Sequence, residues 1–142
     1  MNVCRYKDFS LVIMLRDQHC PPHVHVDAQT WSARFKFSFW HNGVELWDVV
    51  PHSQRPPSAV LEGLRQALRQ PAHLQRARGL WWRKLRTACL DNQLWDWEGN
   101  EVVVMKQLAR TTYLIDSASY EPEVNKTLLS LTGAAEGVEI EL

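Results

Sequence analysis

Between Trp31 and Trp40 the chain alternates with strict period two. Trp31, Ala33, Phe35, Phe37 and Phe39 fall on one side, and Ser32, Arg34, Lys36 and Ser38 on the other. A helix would mix these classes, so the segment reads as a half-buried strand. Asn42-Gly43 follows at once, and that pair favours a two-residue hairpin turn with φ > 0 at both positions. The return strand is then Val44 to Val50. This register sets Phe39 opposite Leu46 and Phe35 opposite Val50, aromatic against aliphatic. It also drops Asp48 opposite Phe37 on the apolar face, a mismatch that marks a sheet edge.

The flanking segments extend this sheet. Phe9 to Leu15 is apolar on both faces, as a central strand is. His19-Cys20-Pro21-Pro22 reads as a turn, because the prolines fix φ and remove donors. In His23-Val-His-Val-Asp27 the valines share one face, and His23, His25 and Asp27 the other. Ala28-Gln29 is the weakly signalled turn into the next strand. Helical spacing then governs Ala59 to Arg69, with Val60/Leu61, Leu64 and Leu68 in register, until Pro71 disfavours helix at Gln70. Pro71 opens a second helix over roughly 71–90, with Leu74, Ala77, Trp81, Leu85 and Ala88 as its buried stripe. Beyond it, Trp95–Glu98 and Glu101–Val104 flank Gly99-Asn100 as a hairpin, and Thr111–Asp116 is a strand. Pro122 to Leu131 carries Val124, Leu128 and Leu131 at helical spacing before Gly133, which predicts a helix. Val138, Ile140 and Leu142 alternate in a short terminal strand or frayed tail.

At 142 residues, the chain has the size of one domain, 1–142. Within it, 1–90 form an α+β core and 91–142 an acidic β/α extension, with a seam near Asp91-Asn92. The expected fold is an antiparallel sheet of N-terminal hairpins packed on two helices. An apolar content of 45% and a charged content of 23% exclude disorder as a whole-chain description. No apolar run approaches the ~20 residues of a membrane helix, and the N-terminus shows no secretory cleavage site. Three cysteines, at 4, 20 and 89, leave one over in any disulfide scheme. A reducing cytoplasm with inert thiols is the expectation.

The zero net charge conceals an asymmetry. Residues 57–90 hold seven Lys/Arg against Glu62 alone, while residues 91–142 hold three against ten acids. Three arrangements follow: the acidic third pairs with the basic helices within one molecule, it pairs with them between molecules, or the basic segment meets an outside polyanion. Arg76 and Arg83 are the residues expected to set polyanion affinity, with Trp81 assigned to the core.

The densest chemistry is His19, Cys20, His23 and His25. A two-residue turn at Ala28-Gln29 would set His25 opposite Ser32 and His23 opposite Arg34. One open face would then carry His23, His25, Arg34 and Lys36, with Trp40 at its end. Fixed positive charges favour an anion or an acidic partner there. Two alternatives use the same residues. Imidazoles of ordinary pKa beside Arg34 suit acid–base cleavage of RNA by His23 and His25. His19, Cys20, His23 and His25 are the metal-ligand alternative, although their spacing fits no standard zinc pattern. No nucleotide-binding glycine loop or nucleophile elbow is present, and no cofactor is expected.

The run Arg16-Asp-Gln-His-Cys-Pro-Pro-His-Val-His-Val26 resembles a motif that opens a strand in a family of small bacterial proteins of unknown function. The motif is a His, two prolines and His-x-His. The similarity continues through a Gly-containing turn, Val-Glu-Leu, a Pro-rich loop and a helix ending near tryptophan, across roughly residues 9–85. It implies a small accessory protein encoded beside a second small protein, similar to toxin–antitoxin pairs. The combined expectation is a non-enzymatic cytoplasmic binding or regulatory protein. Its partner is expected to be a protein, with nucleic acid possible and no membrane.

Overall fold

The computed structural model describes residues 1–14, 16, 18–104 and 110–142. The strands and helices, in chain order, are β1 (Asn2–Tyr6), β2 (Phe9–Val12), β3 (His23–Asp27), β4 (Ser32–Lys36), β5 (Glu45–Val50), α1 (Ser58–Arg69), α2 (Pro71–Leu85), β6 (Leu94–Asp96), β7 (Glu101–Val103), β8 (Thr112–Glu121), β9 (Lys126–Leu131) and β10 (Val138–Glu141). Among the described residues they form two antiparallel five-stranded sheets, β1-β2-β3-β4-β5 and β10-β9-β8-β6-β7, with two helices, an α+β fold. Strand β2 lies inside the first sheet, and the predicted end of that strand, Leu15, falls outside the described residues.

The two helices are separated by one residue. Pro71 pushes Gln70 to an extended ψ of 131°, which ends α1, and occupies the first turn of α2, where its missing N–H costs nothing. Helix α1 buries Leu61, Leu64 and Leu68 and packs against β1 and β5; α2 packs against β1 and reaches β8. Helix α2 is shorter than its periodicity predicts. It ends at Leu85, because Arg86 turns left-handed at φ 54° and Cys89 does the same at φ 60°. Ala88 is buried from the loop that follows.

The central hairpin departs from its local signal. Neither Asn42 nor Gly43 has a positive φ, so no two-residue turn forms. Strand β4 stops at Lys36, which pairs with Glu45, and Phe35 pairs with Leu46. The predicted pairings of Phe39 with Leu46 and Phe35 with Val50 are therefore wrong. Residues 37–44 make a wider excursion, in which Phe37 and Phe39 remain buried. Its cause is Arg78 of α2, a wholly buried guanidinium. Nε donates to the Ser38 carbonyl at 2.8 Å, and Nη2 to the His41 carbonyl at 2.9 Å and Asn42 Oδ1 at 2.8 Å. Satisfying a buried charge through these acceptors outweighs the turn preference of Asn-Gly.

The C-terminal segment corrects a second expectation. Pro122 to Leu131 is no helix: Asn125 at φ 51° turns the chain, and β9 pairs with β8 on one side and β10 on the other. Thr127, Leu129 and Leu131 are buried with period two, while Val124 is exposed. A hairpin forms where Trp95–Glu98 and Glu101–Val104 were expected to pair, but its strands are shorter and residues 97–100 make the connection in place of Gly99-Asn100 alone, with Trp95 opposite Val102. The terminal residues Val138–Glu141 are a strand.

Candidate functional site

Strand parity does bring His23, His25, Arg34 and Lys36 to one face. The turn after β3 is longer than predicted, with Ala28 N–H donating to the Trp31 carbonyl at 2.8 Å. The register consequently slips by two, so His25 lies opposite Arg34 and His23 opposite Lys36. A slip of two keeps every side chain on its face.

The environment of that face differs from the expected open, cationic surface. Arg34 pairs with Asp48 and Phe35 with Leu46, which leaves Trp47 as an extra residue in a bulge. The bulge brings both Trp47 and Asp48 to the histidine side. Arg34 forms a two-armed ion pair with Asp48, one arm at 2.9 Å and the other shorter, and its guanidinium carbon lies 4.0 Å from the Trp47 ring centre. Lys36 is 3.4 Å from Glu45. The two cations are thus compensated by carboxylates on β5. Asp48, expected on the apolar face opposite Phe37, is instead the partner of Arg34.

His23 is buried, at 1% exposure. Its ring lies 5.1 Å from Trp47, 5.4 Å from Trp81 and 4.9 Å from His25. Its Nδ1 is 2.8 Å from the Pro21 carbonyl, to which the neutral ring donates. Burial lowers the His23 pKa first, with smaller contributions from His25, Arg34 and His19 opposing the Pro21 bond. Burial is also the leading cause for His25, with Asp27 and Asp48 pulling the other way. Arg34 lowers both values only as a lesser cause, its charge being paired with Asp48. Under its lid of tryptophans His23 is out of reach of an outside substrate, which removes it from the anion-site and RNA-cleavage readings alike.

The metal-ligand reading meets a covalent obstacle. Cys20 is bonded to Cys89, with a Cα–Cα distance of 5.6 Å, so it offers no thiolate. Among the described residues, no three His, Cys, Asp or Glu side chains come together to hold a metal ion. The expectation of three inert thiols fails with it. An odd cysteine count accommodates one pair and one buried thiol, here Cys4, whose pKa burial pushes up to about 11. Nothing in the sequence pairs Cys20 with Cys89, since 69 positions separate them.

Trp40 is not part of the histidine face. It stands in the 37–44 excursion, edge-on to His41 at 4.7 Å, and with Lys36 lines a separate cavity of about 300 Å³ beside Cys89.

The basic helices divide into structural and free charges. Arg78 belongs to the core, and Arg65 is held by Glu62 at 2.7 Å. Arg69, Arg76, Arg83, Lys84 and Arg86 are exposed. Among the described residues no ion pair joins residues 57–90 to residues 91–142, so the first of the three charge arrangements finds no ion pair to support it. Arg76 and Arg83, two turns apart on α2, both line a groove of about 710 Å³. Gly79 and Leu80 of the same helix also line it, together with Asn2 and Pro122. A Cβ on Gly79 would meet only Pro122, at 3.8 Å, so the space above that turn is open. Arg76 is exposed, and its Nε donates to the Asn2 carbonyl at 2.9 Å.

No described helix is long and apolar enough to cross a membrane. No known protein family, curated protein or solved structure matches the chain.

Proposed function

We propose that this is a non-enzymatic binding protein that takes an anionic macromolecule against the groove of α2, with Arg76 and Arg83 as its principal contacts. The observation that carries this reading is the groove itself. Two arginines about 10 Å apart along one helix face border an open cleft, and no carboxylate of the chain is paired with either among the described residues. Guanidinium groups left unpaired at a concave surface suit phosphate or carboxylate recognition. Lys84 and Arg86 extend the positive field past the end of the helix. An acidic surface on a second protein would meet the same two guanidinium groups as a nucleic-acid backbone would, through carboxylates in place of phosphates.

The histidine face contributes differently from its expected role. With His23 buried and Arg34 tied to Asp48, it stiffens the sheet on which the helices rest. Binding is tested by fluorescence anisotropy with a labelled single-stranded oligonucleotide in one arm and labelled polyglutamate in the other. Salt-sensitive binding of the oligonucleotide alone assigns a nucleic-acid backbone, and of polyglutamate alone an acidic protein surface. Retention of either by the double variant Arg76→Glu/Arg83→Glu overturns the assignment to this groove.

A further inference from the structure

We infer that the Cys20–Cys89 bond is an exchange site for an outside dithiol, a reversible clasp whose cleavage loosens the 86–93 loop without unfolding the chain. Its position is the first argument. Cys20 is exposed and Cys89 is half-buried. Exchange needs a thiolate to reach one of the two sulfurs, which a bond enclosed in the core would prevent. The segment that carries Cys89 also offers a thiolate a favourable field. Arg83, Lys84 and Arg86 are exposed and take part in no ion pair among the described residues, and Asp91 is the one acid between positions 83 and 91.

The second argument is what the bond holds. It ties the chain entering β3 to the loop between α2 and β6. Pro21 and Pro22 from the first segment and Ala88, Cys89 and Leu90 from the second line the same cavity of about 300 Å³, and the bond is the covalent link between them. Cys89 stands at φ 60° and Arg86 at φ 54°, left-handed backbone that residues other than glycine keep only under constraint. Besides the bond, Cys89 is held by two contacts: its N–H donates to Thr87 Oγ1 at 3.0 Å, and its carbonyl accepts from Gln93 Nε2 at 3.1 Å. Cleavage lets Cys89 relax to ordinary φ. Ala88 and Leu90, buried on either side of it, keep the loop seated and the two thiols close enough to rejoin.

The exchange runs in two displacements. One thiolate of the dithiol attacks Cys20 Sγ. A mixed disulfide forms as the Cys20–Cys89 bond breaks, and Cys89 leaves as a thiolate that takes up a proton. The second thiolate of the dithiol then attacks its own half of the mixed disulfide. This closes the reductant's internal disulfide and releases the Cys20 thiolate, which is protonated in turn. Two electrons pass from the dithiol to the protein, and the two protons the dithiol loses are balanced by those the cysteines gain.

Cys4 supplies an internal control for the test, because a buried thiol reacts only when the fold opens. The wild-type chain is treated with dithiothreitol at neutral pH without denaturant, alkylated with iodoacetamide and read by peptide mass spectrometry. Cys20 and Cys89 should be alkylated together, and Cys4 to roughly a tenth of their extent or less. Oxidised glutathione should restore the bond in reduced, unalkylated protein. Amide exchange over residues 86–93 should quicken by about fivefold or more on reduction, with β8 and β9 unchanged. Cys20→Ser/Cys89→Ser should reproduce that loop exchange and keep the helical circular dichroism of the wild type. A bond that resists dithiothreitol until denaturant is added, or Cys4 alkylated in step with the other two, would show a structural crosslink and overturn the inference. Loop exchange unchanged by reduction, a bond that glutathione does not restore, or loss of the helical signal in the double serine variant would each overturn it as well.

Discussion

The Arg78 guanidinium lies 2.8 Å from the Ser38 carbonyl, a contact that joins the middle of α2 to the segment leaving β4. A further arm reaches Asn125 Oδ1 at 3.2 Å, which also accepts the Tyr120 hydroxyl at 2.7 Å. One buried cation therefore holds the 37–44 excursion, the helix and the β8–β9 turn together. No carboxylate takes part; its charge is spread over neutral acceptors, and burial lowers its pKa to about 10.

Replacing Arg78 by Leu should destabilise the protein by at least ~3 kcal/mol, because several buried acceptors lose their donor together. Arg78→Lys should rescue little, since one ammonium cannot reach the acceptors a fork spans. Chemical denaturation measures both. A loss under ~1 kcal/mol for the leucine variant would show that the excursion stands without Arg78.

Acid should weaken the fold before any carboxylate titrates. His23 and His25 have folded pKa values below the ordinary 6.5, chiefly from burial. The unfolded chain therefore binds more protons than the native one once pH falls through 6.5. Stability from these groups is full above that pH and declines below it. Thermal melts should be flat from about pH 8 to 7 and fall steadily toward pH 5. His23→Asn, whose amide still donates to Pro21, should flatten part of that slope. A pH-independent melting temperature across this range would contradict the burial of neutral His23.

Thiol titration should find one free cysteine in unfolded, unreduced protein and essentially none in the native state. Cys4 is buried with a raised pKa, and the Cys20–Cys89 bond consumes the other two. Three reactive thiols after unfolding without reductant would refute the pairing.

Gly79→Ala should stabilise α2 by up to about 1 kcal/mol, since the helix gains propensity and the new methyl meets only Pro122. Gly79→Leu should instead fill the groove and weaken polyanion binding with no change of charge. Oligonucleotide anisotropy on both variants separates a shaped cleft from a diffuse positive field. Undiminished binding by the leucine variant would favour the field.

Parity was the durable part of the sequence. The slip of two between β3 and β4 left His23, His25, Arg34 and Lys36 on their common face, because alternation survives any even shift. The Asn42-Gly43 turn was illegible for the opposite reason: a local preference yielded to Arg78, nearly forty positions away. The histidine face was readable in membership but not in environment. The bulge that brings Trp47 over it leaves no mark on the alternation, although the misplaced Asp48 was its one visible trace. The 122–131 segment supports periods of two and nearly four at once. Pairing of Leu128 and Leu129 with both β8 and β10 decided between them.

The central claim, a polyanion site built on Arg76 and Arg83, is tested most directly by the salt dependence of oligonucleotide binding. Each phosphate contact contributes about 0.7 to the slope of log affinity against log salt for a single strand. Wild-type protein should bind with a steep slope, and Arg76→Glu/Arg83→Glu should lose at least about 1.4 of it together with most of its affinity. An unchanged slope in the double variant, or no binding by the wild type at low salt, would contradict the account.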